Sequence, residues 1–214
     1  MNGSSRTHDV VIVGGGLVGS SLALALDRIG LDVALVEATP ADHMPAVFDE
    51  RNLSFSEATV NALNALGVLQ KLRSPAGAIA RIHVSRRGDF GRVLLEAAQH
   101  GRTEFGRVVV ARDFGEALEA RLAELGGLSR HRPARFVGLG EVEADARRVR
   151  IADAGGEREL RARLLVAADG SDSAVREALG IAADTHDYRQ TLLVARLRAQ
   201  RAPDGTAYER LTAD

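Results

Sequence analysis

The feature that most constrains this sequence is a glycine-rich turn set between a short apolar run and a helical pattern. Asp9-Val10-Val11-Ile12-Val13 is brief and β-branched, and Gly14-Gly15-Gly16-Leu17-Val18-Gly19 follows at once. Such a run reads as a strand buried on both faces. Over Leu17–Arg28 the spacing of Leu17, Leu22, Leu26 and Ile29 predicts a helix, closed by Gly30. Asp32-Val33-Ala34-Leu35-Val36-Glu37 then reads as a second buried strand. Together these make a strand–helix–strand unit of about thirty residues. Parallel strands joined in this way need helices on both faces, which implies a doubly wound α/β sheet.

The glycine run matches G-x-G-x-x-G, and its setting after a strand and before a helix gives the match its weight. Gly14 permits the tight turn. Gly16, without a Cβ, lets a pyrophosphate approach the backbone. Gly19 lets the helix pack against the strand. The helix N-terminus, with its free N–H groups and dipole, favours the anion. Glu37 ends the second strand, where a carboxylate can accept both hydroxyls of an adenosine ribose and repel a 2′-phosphate. The expected ligand is therefore FAD or NAD rather than NADP.

Farther along, residues 39–45 read as a loop with two prolines, and Ser54–Leu72 as a helix with Val60, Leu63, Leu66 and Leu69 on one side. Ile82–Ser85 and Arg92–Leu95 flank a polar, glycine-containing turn and predict a β-hairpin. Asp113–Leu125 is an amphipathic helix stopped by Gly126-Gly127. Arg135–Val166 reads as strands and turns, with Gly155-Gly156 at a hairpin tip. Leu164–Ala168 reads as another buried strand, running into Asp169-Gly170, and Ser173–Leu179 as a helix. Thr191–Leu197 alternates like a sheet strand. Tyr208–Thr212 opens a strand with no following partner, so truncation is expected.

Asp169-Gly170-Ser171-Asp172-Ser173-Ala174-Val175-Arg176 matches D-G-x-x-S-x-x-R. With the glycine turn, it gives the chain a clear resemblance to the flavoprotein aromatic hydroxylases of the p-hydroxybenzoate hydroxylase superfamily. Asp49–Ser54, Leu66–Leu69, His83–Gly88 and Val166–Gly170 extend the likeness to the 2-polyprenyl-6-methoxyphenol hydroxylases of ubiquinone biosynthesis. The resemblance runs from Asp9 onward and corresponds to the N-terminal half of such enzymes. It implies a Rossmann-like, doubly wound FAD-binding domain (residues 8–80 and 101–183) with an inserted, incomplete antiparallel β-sheet substrate domain (81–100 and 184–214).

The resemblance also implies FAD as cofactor and NAD(P)H as transient reductant. It assigns Asp169 and Gly170 to the pyrophosphate and nicotinamide entry region, Arg51 to the flavin side, and Arg112 to FAD. The family reaction forms a flavin C4a-hydroperoxide that hydroxylates an electron-rich phenol; here the substrate would be a lipophilic polyprenyl phenol, met within a ubiquinone-biosynthesis complex. Other enzymes of this superfold, a polyprenyl reductase or a halogenase, and a non-catalytic FAD-binding fragment are the competing expectations. The Gly-Asp motif that holds the ribityl chain in the family falls in the half not represented.

Composition narrows the field. The formal net charge is −1 and aromatics are 4%, with no Trp, so neither a nucleic acid nor an anionic membrane is an expected partner. The absence of cysteine excludes disulfides, zinc–thiolate sites and a cysteine nucleophile. His8, His43, His83, His100, His131 and His186 show no ligand spacing, so no metal is expected and no acid–base catalyst is named. The polar N-terminus does not read as a signal peptide, and no run reaches the length of a transmembrane helix. The expected location is cytoplasmic, peripheral to the inner membrane.

Overall fold

A computed structural model describes residues 6–46, 48–195, 197 and 200–212. The polar stretch up to Ser5, Arg196 within the expected strand at 191–197, and the terminal Asp214 lie outside the described residues. The chain divides into two units, Met1–Phe48 with Gly115–Leu192 and Asp49–Phe114 with Leu193–Asp214.

The first unit is built on a six-stranded sheet. Its strands are β1 (Thr7–Val13), β2 (Val33–Val36), β8 (Ser129–His131), β9 (Arg135–Val142), β10 (Arg147–Asp153) and β11 (Gly156–Ala167), in the order β8-β2-β1-β11-β10-β9. β8, β2, β1 and β11 run parallel, while β10 pairs antiparallel with both β11 and β9. Between β1 and β2 lies helix α1, Leu17–Arg28, at the expected residues. Val11 and Ile12 are fully buried, and all four residues of β2 are buried. Val11, Ala34 and Val36 pack with Val149, Ile151, Leu160 and Ala162 in one core cluster. Burying each of the larger side chains stabilises the unit by about 1.5–3 kcal/mol.

The β10–β11 hairpin turns at Gly156, which pairs with Asp153, as the Gly155-Gly156 signal predicts. Leu164–Ala168 departs from its reading as a buried strand. β11 does continue to Ala167 beside β1, but Leu164 is 57% exposed. It shares a pleat face with Leu160 and Ala162, which are buried, so the cover on that face ends between Ala162 and Leu164. A short helix, α4 (Ala174–Ala178), follows.

The second unit holds two three-stranded sheets. β3 (Asn52–Ser56), β7 (Gly106–Val110) and β4 (Gly77–Ile79) form an antiparallel sheet in the order β3-β7-β4. Helix α2 (Glu57–Ala65) follows β3 directly. The helix expected from Ser54 therefore starts later. Leu53 and Phe55 alternate on a strand, and Ser56 is the N-cap, its hydroxyl accepting the Thr59 N–H. The helix also stops early, at Ala65, with a 3₁₀ turn at Leu69–Lys71.

β5 (Arg81–Arg86) and β6 (Val93–Glu96) are the predicted antiparallel hairpin. The strand expected near Tyr208 is β12 (Thr206–Leu211), and it pairs parallel with β5, which precedes it in the chain. Arg81 fixes its approach, donating to Thr206 Oγ1 at 2.9 Å and pairing with Asp204 at 2.8 Å. The remaining helix, α3 (Ala111–Leu122), follows β7. Its Phe114 is buried and meets Phe55 with ring centroids 4.9 Å apart. Residues 191–195 and Leu197 form no strand, and Leu192, Leu193 and Leu197 are exposed. Alternation there is not matched by any strand alongside, and unpaired backbone keeps no sheet conformation. The α/β class with a Rossmann-like parallel sheet and smaller β-sheets is the class observed, although the β12-β5-β6 sheet is mixed rather than antiparallel.

Candidate functional site

The glycine turn is shaped by what cannot fit there. Gly14 has φ +104°, and a Cβ on it would lie 2.2 Å from the Ala168 carbonyl oxygen. Gly19 sits one helical turn in, where a Cβ would lie 1.8 Å from the Gly14 carbonyl oxygen. Gly16 is the extended N-cap residue of α1, and no side chain caps it. The first-turn N–H groups of this twelve-residue helix are therefore not engaged by a side-chain cap, and the helix dipole is positive at that end. Such a cradle suits a pyrophosphate.

Glu37 leaves β2 with both carboxylate oxygens already oriented. Oε2 accepts the Gly15 N–H at 2.6 Å, and Oε1 accepts the Thr39 N–H at 2.6 Å. A carboxylate has about four acceptor positions, so capacity remains for a pair of ribose hydroxyls. Gly15 itself escaped the sequence reading. It occupies a variable position of the motif, yet a Cβ there would come within 2.9 Å of Glu37 Oε2. Its place in a run of three glycines was the available signal.

Asp169 and Gly170 form the turn between β11 and α4. The Asp169 carboxylate accepts the Ser173 hydroxyl at 2.6 Å and the Val175 N–H at 3.2 Å. Ser173 Oγ in turn accepts the Arg176 N–H, and the Arg176 guanidinium donates to the Ser171 carbonyl. Every named residue of D-G-x-x-S-x-x-R thus shapes one turn and one helix start. Gly170 has φ +89°, a conformation that bends the chain sharply there. Gly14, Glu37 and Asp169, together with Ala134 and Phe136, line one cleft of about 260 Å³.

Arg51 and Arg112 belong to the second unit and line another cleft, of about 450 Å³, with Asp49, Glu50, Asn52 and Val194. Arg51 pairs with Asp49 at 2.6 Å, and Arg112 with Glu50 at 2.7 Å. Backbone bonds from the Ala111 N–H to the Arg51 carbonyl and from the Arg112 N–H to the Asp49 carbonyl, both 2.8 Å, bring the two arginines to one cleft. The structure thus gathers Gly14, Gly16, Gly19, Glu37, Asp169 and Gly170 in the first unit and Arg51 with Arg112 in the second.

Near the first cleft, the His131 carbonyl accepts the Glu37 N–H at 3.0 Å. The His131 ring is pushed down to about 4, by burial first and by the nearby Arg158 guanidinium second. Its Nδ1 lies 3.0 Å from an Arg158 nitrogen, so a neutral ring accepts there. Among the described residues, no group of three or more His, Asp or Glu is placed to hold a metal, and no helix is long and apolar enough to cross a membrane.

Comparison with known proteins extends this geometry. The family described as FAD binding domain matches residues 7–207. The ubiquinone hydroxylase UbiL of Rhodospirillum rubrum is 32% identical over 208 residues, covering 96% of this chain and 47% of that protein. The 3-demethoxyubiquinol 3-hydroxylase of Escherichia coli is 29% identical, covering 99% of this chain and 54% of its own. The chain thus spans about half the length of the curated relatives it matches. The crystal structure of p-nitrophenol 4-monooxygenase PnpA from Pseudomonas putida shares the fold, with a TM-score of 0.68 at 22% identity over 81% of this chain and 44% of that one.

Proposed function

Because this chain belongs to the FAD binding domain family, we propose that it is the cofactor-holding part of a flavin-dependent aromatic hydroxylase acting on a polyprenylated phenolic precursor of ubiquinone. The observation that carries this reading is the first cleft, where an uncapped helix N-terminus, a turn with no room for side chains and a preset carboxylate converge. The ubiquinone branch is supported by likeness to two hydroxylases of ubiquinone compounds along nearly the whole of this chain.

In this reading Gly14, Gly16 and Gly19 clear the pyrophosphate's approach, and Glu37 accepts the ribose hydroxyls. Asp169 and Gly170 border the pyrophosphate, and the turn they form keeps its shape through Ser173 and Arg176. Arg51 and Arg112 serve as further cofactor contacts. Residues 8–80 and 101–183 make up the FAD-binding part, and residues 81–100 and 184–214 belong to the substrate part. When bound, FAD supplies oxygen activation for ring hydroxylation, with electrons from NAD(P)H. The chain's own residues contribute binding and orientation. The substrate is lipophilic and is met at the periphery of the inner membrane, within a biosynthetic complex.

The test is direct. Purified chain is mixed with excess FAD, freed of unbound cofactor, and its visible spectrum recorded. Flavin bands that are released on denaturation are expected. NAD(P)H consumption and hydroxylated product are then measured with a polyprenylated phenol. A folded chain that stays colourless would sink the proposal. Bound flavin without product would favour a second reading, a chain that holds FAD and does not hydroxylate by itself.

A further inference from the structure

Arg132 is absent from every motif in the sequence, yet its side chain is only 7% exposed and among the most heavily bonded in the first unit. Its Nε donates to the Thr39 carbonyl at 2.8 Å, and its Nη2 to the Pro40 carbonyl at 2.9 Å and to the His43 carbonyl. Its Nη1 pairs with the Glu119 carboxylate at 2.8 Å, and the other oxygen of that carboxylate takes Arg130 at 2.6 Å. A guanidinium is suited to this task, because its planar fork reaches several acceptors at once and stays charged.

What Arg132 holds is the segment that leaves Glu37. The Glu37 N–H donates to the His131 carbonyl, and the Glu37 carbonyl accepts the Ala134 N–H at 2.8 Å. The main chain on either side of Arg132 therefore grips the backbone of Glu37. The Arg132 side chain meanwhile grips Thr39, whose N–H binds Glu37 Oε1. Glu37 is thus enclosed in a ring of bonds that runs from its own backbone through residues 131–134 and back to its own carboxylate.

We propose that Arg132 is a positioning residue for the adenosine ribose of the bound dinucleotide, acting through Thr39 and the Glu37 carboxylate. This inference rests on the reading of the first cleft as an FAD site. It goes beyond that reading in naming the residue that keeps the ribose acceptor aimed. Removing the guanidinium takes a donor from three carbonyls, leaves Glu119 with Arg130 alone and frees the segment after β2 to swing. The Glu37 carboxylate then keeps the Gly15 N–H on Oε2 but loses the fixed Thr39 N–H that aims Oε1.

A double-mutant cycle tests this. The FAD dissociation constant is measured by flavin fluorescence for the unaltered chain, Arg132→Met, Glu37→Gln and the double variant, with circular dichroism and thermal unfolding alongside. Arg132→Met is expected to weaken FAD about tenfold in the unaltered background and less than about twofold in the Glu37→Gln background, the signature of coupling. Arg132→Lys, which keeps the charge without the fork, is expected to fall between and keeps the test open should Arg132→Met fold poorly. Equal losses in the two backgrounds, or no loss from either Arg132 variant, would overturn the inference. An unaltered chain that folds and takes up no FAD would overturn the underlying reading, and this inference with it, and that result is distinct from the other two.

Discussion

The two clefts hold their shape by opposite means. Around Gly14 and Gly19, form is set by exclusion, because backbone lies where any Cβ would go, and at Gly15 the Glu37 side chain lies there. Around Arg51 and Arg112, form is set by ion pairs between half-exposed side chains, Arg51 with Asp49 and Arg112 with Glu50. Backbone packed on backbone is rigid before any ligand arrives. Exposed ion pairs are weak and can exchange one anionic partner for another. The first cleft is therefore preorganised, and the second is adaptable, with arginines that can turn from their own carboxylates to another anion.

The sharpest way to break this contrast is to add one methyl group to the first cleft. Gly19→Ala would put a Cβ 1.8 Å from the Gly14 carbonyl, and neither backbone can retreat without moving β1. A stability loss of about 3–5 kcal/mol is expected, with flavin uptake abolished. Urea denaturation followed by circular dichroism measures the first, and the visible spectrum the second. A variant of ordinary stability that still binds FAD would mean the turn is not set by exclusion.

Glu37→Gln separates binding from folding in the same cleft. The Gly15 and Thr39 N–H groups each donate to a carboxylate oxygen, and an amide can accept only one of them well. A charge-assisted bond from a ribose hydroxyl is worth about 1.5–3 kcal/mol, so its loss should weaken FAD by about ten- to a hundredfold. Titration by flavin fluorescence reads this. An unchanged affinity would remove Glu37 from the ribose site.

Arg112→Ala and Arg51→Ala should behave differently. Each removes one half-exposed ion pair, so unfolding should shift by less than about 1 kcal/mol. If the second cleft meets the cofactor, FAD affinity should still fall, by about tenfold. Loss of stability without loss of affinity would make these arginines structural.

The contrast also explains what could be read in advance. Exclusion leaves a mark in sequence, since a position that tolerates no Cβ must be glycine, and Gly14 and Gly19 were legible with the strand and helix beside them. Glu37 was legible from its place at a strand end. Its bonds to Gly15 and Thr39 were not, because they depend on how the turn closes. Arg132 left no mark at all. It is one arginine in an arginine-rich chain, and its carbonyl partners lie about ninety positions away in sequence. Ser54–Ser56 was misread for a related reason: pairing with β7 across some fifty residues overrides the local helical count. The alternation at 191–197 misled in the other direction, since a pattern without a strand beside it makes no sheet.

The smallest expected effect concerns pH, and it probes the edge of the first cleft. His131 in the folded chain is held down to about 4 from the ordinary 6.5 by burial and by Arg158, with His8 adding and Asp153 opposing. The unfolded chain therefore takes up a proton near pH 6.5 that the folded chain refuses. Stability from this residue is fully present above that pH and falls as pH drops from 6.5 toward 4, where the folded ring also titrates. A pKa unit is worth roughly 1.4 kcal/mol, and because the ring is only half-buried and partly screened by solvent the loss should stay well below what the full shift would give. His131→Asn keeps an acceptor near the Nδ1 position and does not titrate, so its thermal stability should fall less than that of the unaltered chain between pH 6.5 and 4. The lowered carboxylates Asp9, Asp42, Glu143, Asp153 and Asp204 act below their ordinary values of 3.8 and 4.5, largely outside this window. Because the His131 carbonyl holds the Glu37 N–H, FAD affinity should follow the same pH course if protonation loosens β8. Parallel pH profiles for variant and unaltered chain would mean that the His131 ring stays neutral without consequence, and that the rigidity of the first cleft owes nothing to it.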